Sequence, residues 1–230
     1  MSQNNQTLDV NETIAKSEAF IAKYKNKLIL ALVAVAVVVG GIFAGRHYLK
    51  SENEKGQTQI GLGQRYFQTG DWDIALKGEG QFKGFEKLAQ GSSWVDAANL
   101  AKMYTGICYF NKGDFKKAIK WLEDFSPKGD VTISANALAA LGNAYASDKQ
   151  LDKAVTYLKK AADHAKNEAL SPTYLLQAGQ ILESQNKKAD ANNVYESIKK
   201  DYPTSALSTP NYQGGNVIAP QIDRYIERTK

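Results

Sequence analysis

The chain is poor in the residues that usually build chemistry. Its 230 residues include one cysteine, Cys108, and two histidines, His47 and His164. A single thiol excludes an intramolecular disulfide and a thiolate metal site. It does not distinguish a reducing compartment from an oxidising one. Two histidines far apart in sequence are thin material for a zinc site or a catalytic dyad. Concentrated charge is also missing. Residues 51–230 carry 23 Lys or Arg against 21 Asp or Glu, so little of the net charge of +5 falls there. A nucleic-acid domain shows a localised basic excess, and nucleic acid is therefore not expected as a partner.

Sequence motifs for cofactors are lacking too. GEGQFKG (78–84) has the wrong spacing for a dinucleotide loop and follows a helix instead of a strand. Asp71 and Asp73 in GDWD lack the rest of a calcium loop and are expected to cap a helix. Asn5 and Asn11 fall in glycosylation-type sequons by chance, if that tail is cytoplasmic. No spacing of Asp and Glu supports a hydrolase or transferase. No cofactor, metal or catalytic residue is expected.

One long apolar run is present: LILALVAVAVVVGGIFAG, residues 28–45, without a charge. At ~1.5 Å per residue it reaches roughly 27 Å, close to the hydrocarbon thickness of a bilayer. Lys23, Lys25 and Lys27 precede it, and Arg46 and Lys50 follow. Tyr24 and Tyr48 lie where interfacial aromatics lie. The lead is too long, and the run too extended, for a cleaved signal peptide. An uncleaved transmembrane helix over 28–49 is expected. The charge rule is nearly balanced across it; the tail, 1–27, is placed in the cytoplasm and the large domain outside. Residues 11–27 read as a helix leading in, with Asn11 as its cap.

The remainder repeats itself. Gly63, Gly106, Gly142 and Gly179 align, and three residues after each come Tyr66, Tyr109, Tyr145 and Leu182. Twelve residues after each glycine stand Ala75, Ala118, Ala154 and Ala191. TGDW (69–72), KGDF (112–115), DKQL (148–151) and QNKKAD (185–190) hold the turn between. Each unit is expected to be two antiparallel helices that cross at the glycine and the alanine, with neighbouring units stacking to cover their apolar faces. CYFNKGDFKKAIKWL (108–122), with its mixed lysines and aromatics, is then a helix pair seen end to end. Phe115, Ala118, Ile119 and Leu122 form its buried stripe, and Lys116, Lys117 and Lys120 point to water.

Leu62-Gly63 and Leu141-Gly142, the tyrosines, Ala154 with Ala161, Tyr195 and Pro203 together resemble the tetratricopeptide repeat family over about residues 55–205. Unit one departs from it: Gly78, Gly80 and Gly84 should interrupt its second helix. The resemblance implies an all-α fold, with a solenoid of about four helix pairs over 50–205. A loop over 206–217 and a capping helix over 218–230 complete it. The layout also resembles membrane-anchored envelope proteins of the Bacteroidetes type and the ancillary repeat subunit of the Sec translocon.

What these families do is bind proteins, and their first helices line a groove. Counted from the aligned glycines, that face carries Ile60, Gln64 and Phe67, then Met103, Ile107, Phe110 and Asn111. Asn143 and Ser147 follow, then Leu176, Gln180 and Glu183. An extended peptide or a partner helix fits such a face; the alternative is that its apolar half is packing between repeats. Capture of a carboxyl-terminal tail is disfavoured, because Asn143 stands without basic partners. The expectation is a non-enzymatic scaffold or chaperone-like adaptor in the inner membrane, with its repeats in the periplasm. Its partners would be other membrane or envelope proteins, the Sec translocon or exported chains among them. The alternative is a homo-oligomeric structural element without a client.

Overall fold

The fold is described from a computed structural model. It covers residues 10–91, 95–213 and 216–230; the side chains of 10–13 and 212–216 lie outside the description. Ten helices and one small hairpin make up these residues. The chain divides into two compact units at Ser51–Glu52.

The first unit is the amino-terminal part of α1 (Val10–Thr69). Leu30, Leu32, Val37 and Phe43 are each about two-thirds exposed. Apolar side chains on a bare helix lack the burial that would stabilise them in water. Ahead of them, Phe20 packs on Tyr24 at 4.8 Å, and Lys23 and Lys27 lie over the Tyr24 ring. α1 already starts at Val10, so Asn11 falls inside its first turn. Asn11 is therefore not the residue that precedes the helix, as its expected capping role required; the sequon at Asn5 lies outside the described residues.

The second unit begins with the last turns of α1 and continues through nine more helices. These are α2 (Trp72–Lys77), α3 (Phe85–Ala89), α4 (Asp96–Asn111), α5 (Phe115–Glu123) and α6 (Val131–Ser147). Then come α7 (Leu151–Ala165), α8 (Ser171–Ser184), α9 (Lys188–Asp201) and α10 (Gln221–Thr229). α4 pairs with α5, α6 with α7, and α8 with α9, each pair packing on the next. One core cluster joins Ala118, Leu122, Leu141 and Tyr145. The other joins Leu158, Tyr195 and Ile198 with Ile222 and Ile226 of the capping helix.

The small residues act at the crossings, with a difference between units. A Cβ added at Gly106 would meet Leu122 Cγ at 2.5 Å and the Ala118 carbonyl at 3.2 Å. At Gly142 it would meet Leu158 Cγ at 2.8 Å and the Ala154 carbonyl at 3.2 Å. Units two and three therefore cross at glycine and alanine as expected. In unit four the space beside Gly179 is filled by the Tyr195 ring, 2.2 Å from such a Cβ. In unit one Phe82 and Phe85 fill the space at Gly63, where Ala75 was expected. Gly78, Gly80 and Gly84 do interrupt that unit: α2 stops at Lys77, a bridge joins Glu79 to Phe82, and α3 starts at Phe85. The broken segment folds its aromatic rings back onto the first helix, so α3 replaces part of the second helix.

The turn between paired helices is the same in every unit. Its seventh residue after the aligned glycine is left-handed: Gly70 (φ 81°), Gly113 (79°), Lys149 (63°) and Asn186 (60°). The next N–H returns to a carbonyl near the helix end at 2.9 Å in all four, as from Asp114 to Tyr109 and from Gln150 to Tyr145. This closes the carbonyls that a helix end leaves open.

Two local expectations need correction. Residues 206–217 are not all loop, because β1 (Asn211–Gln213) pairs antiparallel with β2 (Asn216–Ile218). The capping helix consequently starts after Pro220, at Gln221, and not at 218. Asp71 occupies the cap position of α2 but makes no capping bond; its carboxylate accepts from the Thr69 hydroxyl. Asp73 does not cap either, and pairs with Lys112 of the next unit.

Candidate protein-binding site

The first helices of successive units stand side by side, tied by polar links. Gln64 Nε2 donates to the Tyr104 hydroxyl at 3.4 Å, joining α1 to α4. The Tyr174 hydroxyl donates to Asn136 Oδ1 at 2.7 Å, joining α8 to α6. Gln180 Nε2 donates to the Tyr225 hydroxyl at 3.3 Å, joining α8 to α10.

The structure sorts the residues expected on this face. Ile60 and Met103 are only 3% and 9% exposed, so they are core and not surface. Met103 joins the core of units two and three, and burying a side chain of this size is worth about 1.5–3 kcal/mol. Phe67 is half-buried, edge-on to Tyr104 at 4.9 Å and to Trp72 at 5.6 Å. Ile107 and Phe110 are half-buried against the core of units two and three. Phe110 also touches Phe115, with ring centres 5.7 Å apart. Leu176 is half-buried against the last core. Gln64, Asn111 and Gln180 are exposed, and Asn143 and Ser147 are half-buried. Asn111 turns back to donate to the Ile107 carbonyl at 2.9 Å.

Glu183 is not free to meet a partner. It accepts from the Tyr195 hydroxyl at 2.6 Å and is held by Arg228 of the capping helix at 3.0 Å. The surface that remains is amide and hydroxyl groups around a few half-buried apolar side chains. Gln57 and Asn136, absent from the sequence expectation, are exposed on the same helices. Each stands six residues before an aligned glycine, a spacing that would have placed them there.

Sequence reasoning also missed the joints between units. The Tyr109 hydroxyl donates to Glu86 of α3, and the Tyr145 hydroxyl donates to Glu123 of α5. Lys117 lies over the Tyr109 ring and Lys153 over the Tyr145 ring, both at 4.9 Å. Tyr109 and Tyr145 thus each touch a carboxylate of the preceding unit and a lysine of their own. Burial and the carboxylate partners push Tyr109, Tyr145 and Tyr195 above the usual phenol range. Burial likewise pushes the Cys108 thiol up to about 12, which leaves it a packing group and not a nucleophile at neutral pH. Among the described residues no group of three or more His, Cys, Asp or Glu side chains is arranged to hold a metal ion.

A family model described as a tetratricopeptide repeat-like domain matches residues 18–210. The chain belongs to that family of helical-repeat, protein-binding domains. No curated protein matches it. The same stretch includes the apolar segment, which lies in the one helix among the described residues long and apolar enough to cross a membrane.

Proposed function

We propose that the chain is a single-pass membrane protein whose repeat domain binds other proteins, serving as a scaffold or chaperone-like adaptor of the cell envelope beside the secretion translocon. Residues 28–49 span the membrane, the short tail is cytoplasmic, and the repeats face the periplasm. The observation that carries this is the bare apolar stretch of α1, none of whose most apolar window is buried, in a helix that ends as the first helix of the repeats. Lys23, Lys25 and Lys27 before the stretch and Arg46 and Lys50 after it fit an anchor held at both interfaces.

The partner-binding surface is the first-helix face, with Phe110, Asn111, Asn143 and Gln180 at its centre. A photo-crosslinking residue at Phe110, followed by mass spectrometry of what attaches in cells, tests this. Translocon subunits or exported chains are the expected products. Recovery of the protein alone would overturn the reading. A reporter fused after Lys230 that is active only in the cytosol would overturn the orientation.

A further inference from the structure

The stack of helix pairs is closed at one end and open at the other. At five residues and at one residue before each aligned glycine, a first helix faces the preceding unit. Ala137 and Leu141 share a core with Ala118, Ile119 and Leu122 of α5. Tyr174 and Ala178 share one with Val155 and Leu158 of α7. Together with Ala101 and Thr105 of α4, these residues are no more than 6% exposed. In unit one the same positions are Thr58 and Leu62. Thr58 is exposed, and Leu62 is 38% exposed. What precedes them in the chain is the apolar run of α1 and not a helix pair. At the other end Ile222 and Ile226 of α10 join the core of the last unit. Unit one therefore presents a stacking face without its neighbour.

The fold-back of unit one shapes this face. A cavity of ≈ 400 Å³ lies there, lined by Leu62, Arg65, Tyr66, Glu79, Gln81 and Phe82 among others. Tyr109 and Tyr145 take their carboxylates from the preceding unit. Tyr66 takes one from its own, donating to Glu79 Oε2 at 3.1 Å. Arg65 lies over the Tyr66 ring at 4.4 Å and donates to the same hydroxyl. Both charged residues are exposed. Among the described residues Arg65 forms no ion pair with a carboxylate, and Glu79 forms none with a cation.

We infer that this face pairs with the same face of a second copy of the chain, the two α1 helices side by side and Arg65 of each copy on Glu79 of the other. A two-fold pair needs a surface that complements itself. One cation and one anion, each without an ion-pair partner on a single face, meet that need. They also stand at one level along α1, because both bond the Tyr66 hydroxyl. A two-fold axis parallel to α1 brings such groups together. The parallel direction rests on the anchor proposed above, since copies held in one membrane enter it in the same sense. Thr58 and Leu62 of each copy then cover those of the other, as α5 covers Leu141. An exposed ion pair is worth only about 0–1 kcal/mol, so these charges set partner and register more than affinity. Two anchors in one bilayer supply the local concentration that such a contact needs.

Cysteine crosslinking of the full chain in membranes tests this, with Cys108 left in place because it is buried. Leu62→Cys is expected to give an oxidised dimer of the chain. Gln64→Cys, exposed at nearly the same level on the far side of the helix, is expected to give little. In the Leu62→Cys background, Arg65→Glu alone or Glu79→Arg alone sets like charges against each other and is expected to cut the dimer several-fold. Producing the two charge variants together restores opposite pairs, but only between unlike copies, and the dimer is expected to return. Repair within one chain cannot give that result. Circular dichroism checks that each charge variant is folded, and the comparison of Leu62 with Gln64 does not depend on them. Equal dimer from Gln64→Cys, no dimer from Leu62→Cys, or an adduct of Leu62→Cys with a different protein in its place overturns the inference. So does a mixture of folded charge variants that fails to recover the dimer. Retention of the chain in carbonate-washed membranes is read separately and bears on the anchor alone.

Discussion

Two glycines separate helix propensity from helix crossing. Gly61 and Gly142 both sit inside helices, and alanine is favoured over glycine there by about 1 kcal/mol. At Gly61 an added Cβ has nothing within 4 Å. Gly61→Ala is therefore expected to keep most of that gain. At Gly142 the same Cβ lands 2.8 Å from Leu158 Cγ and 3.2 Å from both the Leu158 nitrogen and the Ala154 carbonyl. Leu158 and Ala154 are fully buried, so neither side chain can swing into solvent, and α6 and α7 must separate. Overpacking of this kind costs about 1–3 kcal/mol, which exceeds the propensity gain. A net loss of up to about 2 kcal/mol is expected for Gly142→Ala. For a domain of this size each kcal/mol moves the melting temperature by about 2–4 °C. Thermal melts of the full chain should thus rise by up to about 4 °C for Gly61→Ala and fall by up to about 8 °C for Gly142→Ala. Hydrogen exchange should show the second loss concentrated in α6 and α7. Equal shifts of the same sign would refute the crossing geometry.

Other outcomes follow from the turns, joints and core. Lys149→Gly and Asn186→Gly relieve left-handed backbone in two of the four turns, and each is expected to raise stability by up to about 1 kcal/mol in denaturant titrations. Asp114 caps α5 by accepting from the Lys117 N–H at 3.2 Å, and Asp114→Ala is expected to cost about 1 kcal/mol by the same measure. Tyr109, Tyr145 and Tyr195 have folded pKa values raised above their unfolded ones. The stability they lend is present below about pH 10 and is lost as pH rises through the folded values. Alkaline melts should show that loss, and phenylalanine at the three positions should reduce the pH dependence. Cys108 is expected to resist alkylation at neutral pH until the repeats are unfolded, because its thiol is both buried and shifted to about 12.

Much of the fold was legible because it rests on local spacing. The glycines, the tyrosines and the turn residues recur at fixed offsets, and helical geometry turns fixed offsets into fixed faces. The interruption of unit one was legible from Gly78, Gly80 and Gly84. What filled it was not, since Phe82 and Phe85 reach Gly63 only after the segment has folded back. The Tyr–Glu joints were also invisible in the sequence. Glu86 lies 23 residues before Tyr109, and Glu123 lies 22 before Tyr145, so the contact depends on how units stack. The hairpin hid behind Pro210 and a Gly-Gly pair, which read as loop. For the site, helical counting placed the face but not its depth. Ile60 and Met103 lie on that face by count, and only the packed structure shows them covered.

The recurrence of one turn and one joint has a consequence for how this domain can grow. Glu86 meets Tyr109 as Glu123 meets Tyr145, and both units turn through a left-handed residue at the same position. A second copy of residues 107–142, spliced in after the first, would carry its own Tyr109 to the Glu123 of the original. Its own Glu123 would meet Tyr145 in turn. No new junction would have to be invented. The array is in this sense open to duplication within its middle, while its two ends, the aromatic fold-back beside Gly63 and the helix pinned by Arg228, are single-use parts that fix where growth must stop.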